Sequence, residues 1–303
     1  MCRLRRAAHL PAGRWPLLLA RGMSEETRTV EANGLRIAYL EQGQGPLVLL
    51  VHGFPDTAYS WRQTMSALAQ AGFRAVAYFQ RGYHPTAIPS DGRYDSDTLG
   101  RDLLALIPAL GAEQAIVVGH DWGASAAYSA ATLGPERLRL LVTLAVPHPA
   151  GVRPTLRLLW AVRHFFYLGL PGGARRARRN EFAYIDELVR RWSPAWQVPP
   201  GETEAVKAAF RQPGCLEAAV GYYRDLLRKG LPCSHRGRIA VPTVAFAGET
   251  DGAVGSEAFY QARTRFSGPY EVIRLPGGHF MHREHPEQFH RELLRVLDRF
   301  GRA

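Results

Sequence analysis

Gly119-His120-Asp121-Trp122-Gly123-Ala124 follows the apolar run Ala115-Ile116-Val117-Val118 and leads into a helical pattern over residues 124–133. A strand that turns directly into a helix between glycines is the sequence form of a nucleophile elbow. The tight turn leaves little room for Cβ atoms, and one side chain projects from the end of the sheet. That side chain is Asp121, a carboxylate rather than a hydroxyl. The competing reading is a helix N-cap, because Asp ahead of a helix commonly accepts from its free amides. The strand before and the flanking glycines favour the elbow. Ser125 stands four residues too late to be its nucleophile.

Outward from this point the pattern repeats. Short apolar runs occupy 47–51, 75–79, 140–146, 244–248 and 271–275, and 36–40 alternates ahead of them like an antiparallel strand. Helical patterns cover 61–70, 97–110 and 286–300. This alternation predicts an α/β fold, a mostly parallel eight-stranded sheet flanked by helices, built from 28–148 and 241–303. The rhythm breaks over 149–240. That stretch holds Trp160, Trp192, Trp196 and the cluster Arg175-Arg176-Ala177-Arg178-Arg179, and it reads as a helical insertion after the sixth strand.

The chain has 303 residues, 46% hydrophobic and 21% charged, which excludes a disordered or fibrous protein. A net charge of +11 raises nucleic acid or an anionic surface as partners. The excess is unevenly placed: residues 1–22 contribute +5, residues 151–240 contribute +9, and the remainder is −3. A polyanion-binding protein would carry its stripe on the main fold, so no nucleic-acid partner is expected. Residues 1–27 read as an N-terminal extension. Its first 22 residues have the composition of a weak transit peptide, whereas Met23-Ser24-Glu25-Glu26 looks like an ordinary soluble start. The run from Trp15 to Ala20 is far short of the roughly 20 residues a membrane span needs. Cys2, Cys215 and Cys233 form no C-x-x-C pair, so neither a disulfide framework nor a thiolate zinc site is expected, and a reducing cytoplasm is the simplest setting.

A second strand-end motif is Val51-His52-Gly53-Phe54-Pro55. In an elbow enzyme the backbone N–H groups of Phe54 and Trp122 converge into an oxyanion hole. A base and its orienting acid then follow the nucleophile in chain order. His279 lies in Pro276-Gly277-Gly278-His279-Phe280, beyond the last strand; Asp251 follows the strand at 244–248. Glu249 competes for the acid's role, and loop position favours Asp251. The spacing His279, His282, His285 suggests a metal-binding helix face, but Gly277-Gly278 and Pro286 put His279 on a loop with no carboxylate cluster beside it. Neither a metal nor a cofactor is expected.

Together with Trp61-Arg62, Arg81-Gly82-Tyr83, Pro147-His148-Pro149 and Gly278-His279, these motifs make residues 28–300 resemble the α/β-hydrolase family, within it the epoxide hydrolases and their haloalkane dehalogenase relatives. The resemblance implies a triad of Asp121, His279 and Asp251 under a helical cap formed by 149–240. It implies two donors to an epoxide oxygen. Gly221-Tyr222-Tyr223-Arg224 places one on Tyr223; His164, seven residues before Pro171-Gly172, holds the position of the other, with Tyr167 as substitute. His52, Trp122, Tyr167 and Tyr222 would contact substrate. Gln80, before Arg81, stands where relatives commonly have Asp. The implied reaction is hydrolysis of an epoxide to a vicinal diol through an Asp121 ester, in a monomer or homodimer whose partner is a small molecule. A haloalkane dehalogenase would use the same triad, but needs N–H donors around the halide, and the sequence clearly places only Trp122. A non-catalytic binding protein of the same fold is disfavoured by the intact triad. The basic cap fits either anionic substrates such as fatty-acid epoxides or an ordinary solvated helix face.

Overall fold

The computed structural model describes residues 26–153 and 155–300; most of the N-terminal extension, including Met1 and Met23, lies outside them. The strands are β1 (Arg28–Ala32), β2 (Leu35–Gln42), β3 (Leu47–Val51), β4 (Arg74–Tyr78), β5 (Ala115–His120), β6 (Leu138–Leu144), β7 (Thr243–Gly248) and β8 (Tyr270–Leu275). They form one sheet in the order β1-β2-β4-β3-β5-β6-β7-β8. The β1–β2 and β2–β4 pairs are antiparallel and every later pair is parallel. β3 and β5 are buried at every residue, which is why they read as unbroken apolar runs.

One face of the sheet packs on α1 (Arg62–Gln70) and α11 (Pro286–Phe300), through Trp61, Met65, Phe289 and Leu293. The other packs on α2 (Ser96–Ala109) and α3 (Trp122–Leu133), through Leu103, Leu106 and Ala127. β6 ends at Leu144, two residues earlier than its apolar run, because Ala145 adopts φ 66° and turns the chain away.

Between β6 and β7 the described residues are helical or irregular: α4 (Leu156–Ala161), α5 (His164–Gly169), α6 (Gly173–Trp192), α7 (Glu204–Arg211) and α8 (Cys215–Lys229). α6 is broken where Asn180, Glu181 and Phe182 take left-handed φ values of 49°, 52° and 63°, directly after the arginine cluster. Two short helices, α9 (Glu257–Gln261) and α10 (Met281–Glu284), follow β7 and β8. The loops after β3, β5, β7 and β8 leave the carboxyl edge of the sheet, where ligands of parallel α/β sheets bind.

Candidate active site

The elbow is tightly constrained. Asp121 has φ 53° and ψ −118°, a region that costs a non-glycine residue about 1–3 kcal/mol and persists only when its surroundings impose it. They do so by close approach: a Cβ on Gly123 would lie 2.2 Å from the carbonyl oxygen of Val51, and one on Gly53 would lie 2.4 Å from Asp121 Oδ1. The Asp121 side chain does not cap α3, so the N-cap alternative fails. Its Oδ1 instead accepts from the Phe54 N–H at 2.7 Å.

Asp121 Oδ2 faces His279 Nε2 at 3.5 Å, and His279 Nδ1 meets Asp251 Oδ2 at 3.0 Å. Asp251 is fully enclosed, and its Oδ1 accepts from the amides of Ala253 (2.7 Å) and Val254 (3.1 Å). Glu249, the competing acid, is half-exposed and pairs with Arg274. The backbone of His279 is fixed at both ends: its N–H donates to Trp192 O, and its carbonyl meets His120 Nε2 at 2.9 Å. Burial works against charge on both central groups. It is outweighed on His279 by the Asp251 and Asp121 carboxylates, which push its pKa up to about 10. It is outweighed on Asp121 by His279, His120 and the Phe54 N–H, which hold the carboxyl below its usual range. Each group thus favours the charged form of the other.

Asp121, Trp122, His164, Phe165, Trp192 and His279 line a pocket of about 260 Å³ whose remaining wall is mostly aliphatic, including Val146, Leu158, Val162 and Val254. Ser96 and Ser125 face it as a hydrogen-bonded pair, 2.9 Å apart. The candidate donors differ in kind. Tyr223 lies beneath the pocket lining, enclosed by Phe54, Trp122 and Phe165, with its hydroxyl buried beside the Trp122 side chain. Burial and the nearby Asp121 charge raise its pKa well above the usual value, so the phenol stays protonated. His164 is held neutral, pushed down to about 3 by burial. Its Nδ1 meets the Ala161 carbonyl at 3.3 Å, a contact that places the ring's single proton on Nδ1 and leaves Nε2 an acceptor. Donation from His164 thus requires the other tautomer.

Three further residues read as substrate contacts stand outside this lining. His52 is fully buried with Nδ1 on Gly53 O (2.9 Å) and Nε2 accepting from the Gln80 N–H (3.1 Å). The Gln80 amide donates back to the His52 carbonyl. Both residues therefore brace the loop that presents Phe54 N–H, which gives Gln80 a role where relatives commonly have Asp. Tyr222 donates to the Arg81 carbonyl at 2.8 Å and touches Trp122 from behind. Tyr167 stacks on Tyr184 at 4.1 Å. The histidine spacing does not converge either: His282 turns inward to stack on Trp61 and His120. His120 and His282 lie near Asp56, but that carboxylate is occupied by the Thr57 N–H and Arg283.

Two contributors were not read from the sequence. Trp192 presents a buried, unpartnered indole N–H beside the pocket, 4.9 Å between ring centroids from His279. Arg283, four residues past the base, reaches Asp56 on the loop after β3 (3.1 Å) and Glu202 in the insertion (2.5 Å). The sequence showed one faint sign of Arg283, a basic residue within the histidine-rich loop after β8.

Residues 46–286 match the family described as alpha/beta hydrolase fold, and the chain belongs to it. Within that fold it is 31% identical to Epoxide hydrolase A of Mycobacterium tuberculosis, over 89% of this chain and 96% of that protein. It is 30% identical to Epoxide hydrolase 3 of Mus musculus, over 88% of this chain and 75% of the other. The crystal structure of an epoxide hydrolase from Vigna radiata is similar with a TM-score of 0.77 at 28% identity, covering 91% of this chain and 98% of that one.

Proposed function

We propose that this chain is an epoxide hydrolase that forms a vicinal diol through a covalent ester on Asp121, with 149–240 as the cap over its site. The carrying observation is the carboxylate at the elbow, with one oxygen on the Phe54 N–H and the other facing a histidine backed by Asp251. Asp121 Oδ2 attacks a ring carbon, the carbon–oxygen bond breaks, and Tyr223 protonates the departing alkoxide. The ester carries no charge, so His279 loses one of the two carboxylates that hold its proton. That proton restores the tyrosine by way of solvent. Neutral His279 then takes a proton from water as its oxygen adds to the ester carbonyl, whose oxyanion lies between the N–H groups of Phe54 and Trp122. Collapse releases the diol and returns carboxylate and imidazolium. The free thiols of Cys215 and Cys233 fit a cytoplasmic setting.

The test is diol formation from aryl and aliphatic epoxides by the parent and Asp121→Asn. Repeated turnover in heavy-oxygen water should place label on the Asp121 peptide. An unlabelled peptide after many turnovers overturns the ester. One observation favours a second reading: Trp192 holds a buried, unpartnered indole N–H at the pocket wall, a donor of the kind a leaving halide needs. Halide release from haloalkanes, measured in parallel, decides it.

A further inference from the structure

The first thirty residues of the insertion are rich in exposed apolar side chains and arginine. Residues 151–180 contain seven arginines and no Asp or Glu. On α4 and α5, Leu156 is 86% exposed and Trp160 69% exposed, with Leu159, Phe166 and Leu170 each about half exposed. Leu156, Leu159 and Trp160, spaced by three and four residues, share one face of α4. Leu159 and Leu231, two residues past α8, both line the active-site pocket and are both exposed; Leu170 and Arg228 line a second groove. Arg163 lays its guanidinium over the Trp160 ring at 4.3 Å, and Arg153, Arg175 and Arg179 are exposed nearby in the chain. Arg178 is partly spent on Glu217 and Arg176 on the carbonyls of Tyr167 and Pro171.

We infer that this face docks on an anionic bilayer surface and turns the mouth of the pocket toward the lipid. Exposed Trp, Phe and Leu beside arginines are the composition of an interfacial element, which buries rings and aliphatic side chains at headgroup depth while the guanidinium groups meet phosphate. No described helix is long and apolar enough to cross a membrane, so the contact lies on the surface. A second copy is the poorer occupant: a two-fold contact would press an arginine-rich surface against itself. An aliphatic pocket opening there would receive lipophilic epoxides directly from the lipid phase. That consequence rests on the function proposed above; the docking does not.

The test uses the full chain and sedimentation with vesicles of phosphatidylcholine alone or with about 30% phosphatidylglycerol, without substrate. At about 0.1 M salt the anionic vesicles should bind at least ~10-fold more protein, and the difference should shrink at about 0.5 M. L156S/W160S and R175E/R179E should each lower partitioning by about tenfold. Both should keep parental diol formation from a water-soluble epoxide in vesicle-free buffer, which also reports on folding. Equal binding to both vesicle types, or parental binding by both variants, overturns the docking. So does a dimer on gel filtration that L156S/W160S dissolves while vesicles leave the parent in solution. Loss of docking with diol formation intact, or the reverse, separates this inference from the catalytic one.

Discussion

In the proposed mechanism the proton on His279 decides when each half of the reaction runs. Asp251 and Asp121 together raise its pKa against burial, and one of the two disappears when the ester forms. Asp121→Asn removes the same charge with little change of shape. The imidazole of that variant should titrate at lower pH than the parent's, read from its ring resonances by NMR; an unmoved titration would mean that Asp121 does not hold the proton. At the donor end the structure separates residues that the motifs put side by side. Tyr223→Phe should slow ester formation by about 10²–10³-fold, the scale of losing one transition-state donor. His164→Gln should cost about tenfold or less, since the neutral ring has its proton turned toward Ala161. Pre-steady-state burst measurements on both variants check this, and equal losses would return His164 to an equal share.

At the scale of elements, the carboxyl edge is held by one buried guanidinium. Arg283 on α10 bridges Asp56 and Glu202, tying the Phe54 loop, the base-bearing loop and the insertion together. Arg283→Met would strand Asp56, only 7% exposed at its side chain, without its countercharge. We expect a loss of about 3–5 kcal/mol in urea unfolding, and a double variant that also carries Asp56→Asn should recover part of it. Such clamps explain what could and could not be read from sequence. Asp121, Asp251 and His279 were legible because each sits at a strand end, and the elbow's close backbone approaches leave glycines at fixed offsets. β1 left almost no apolar signal, because as an edge strand it buries only Ala32 fully. The bracing role of His52, the tautomer of His164, and the positions of Trp192 and Arg283 depend on partners brought together from distant parts of the chain, and no local spacing records them.

Across the whole molecule, charge is divided between a basic N-terminal segment, a basic insertion and an acidic rest, but stability against pH is set inside. His120 and His235 are pushed down to about 4, and His148 and His164 to about 3, in each case chiefly by burial. His52, His282 and His290 are lowered for the same reason. Below the ordinary histidine pKa of 6.5 the unfolded chain takes up protons that these folded rings refuse, so their contribution is present above pH 6.5 and is lost as pH falls toward 4. Each uncoupled ring costs about 1.4 kcal/mol per pH unit in that window. His279 acts in the opposite direction: its raised pKa contributes stability below 6.5 that is lost as pH rises toward 10. With seven rings against one, the acid side must be the steeper. Urea unfolding at pH 5.0 should therefore give a markedly lower midpoint than at pH 7.5, with net proton uptake on unfolding of at least two. His148→Gln should flatten that slope, because His148 is buried with both ring nitrogens unpartnered. Equal midpoints at the two pH values would show that the buried rings are matched by partners that protonate with them.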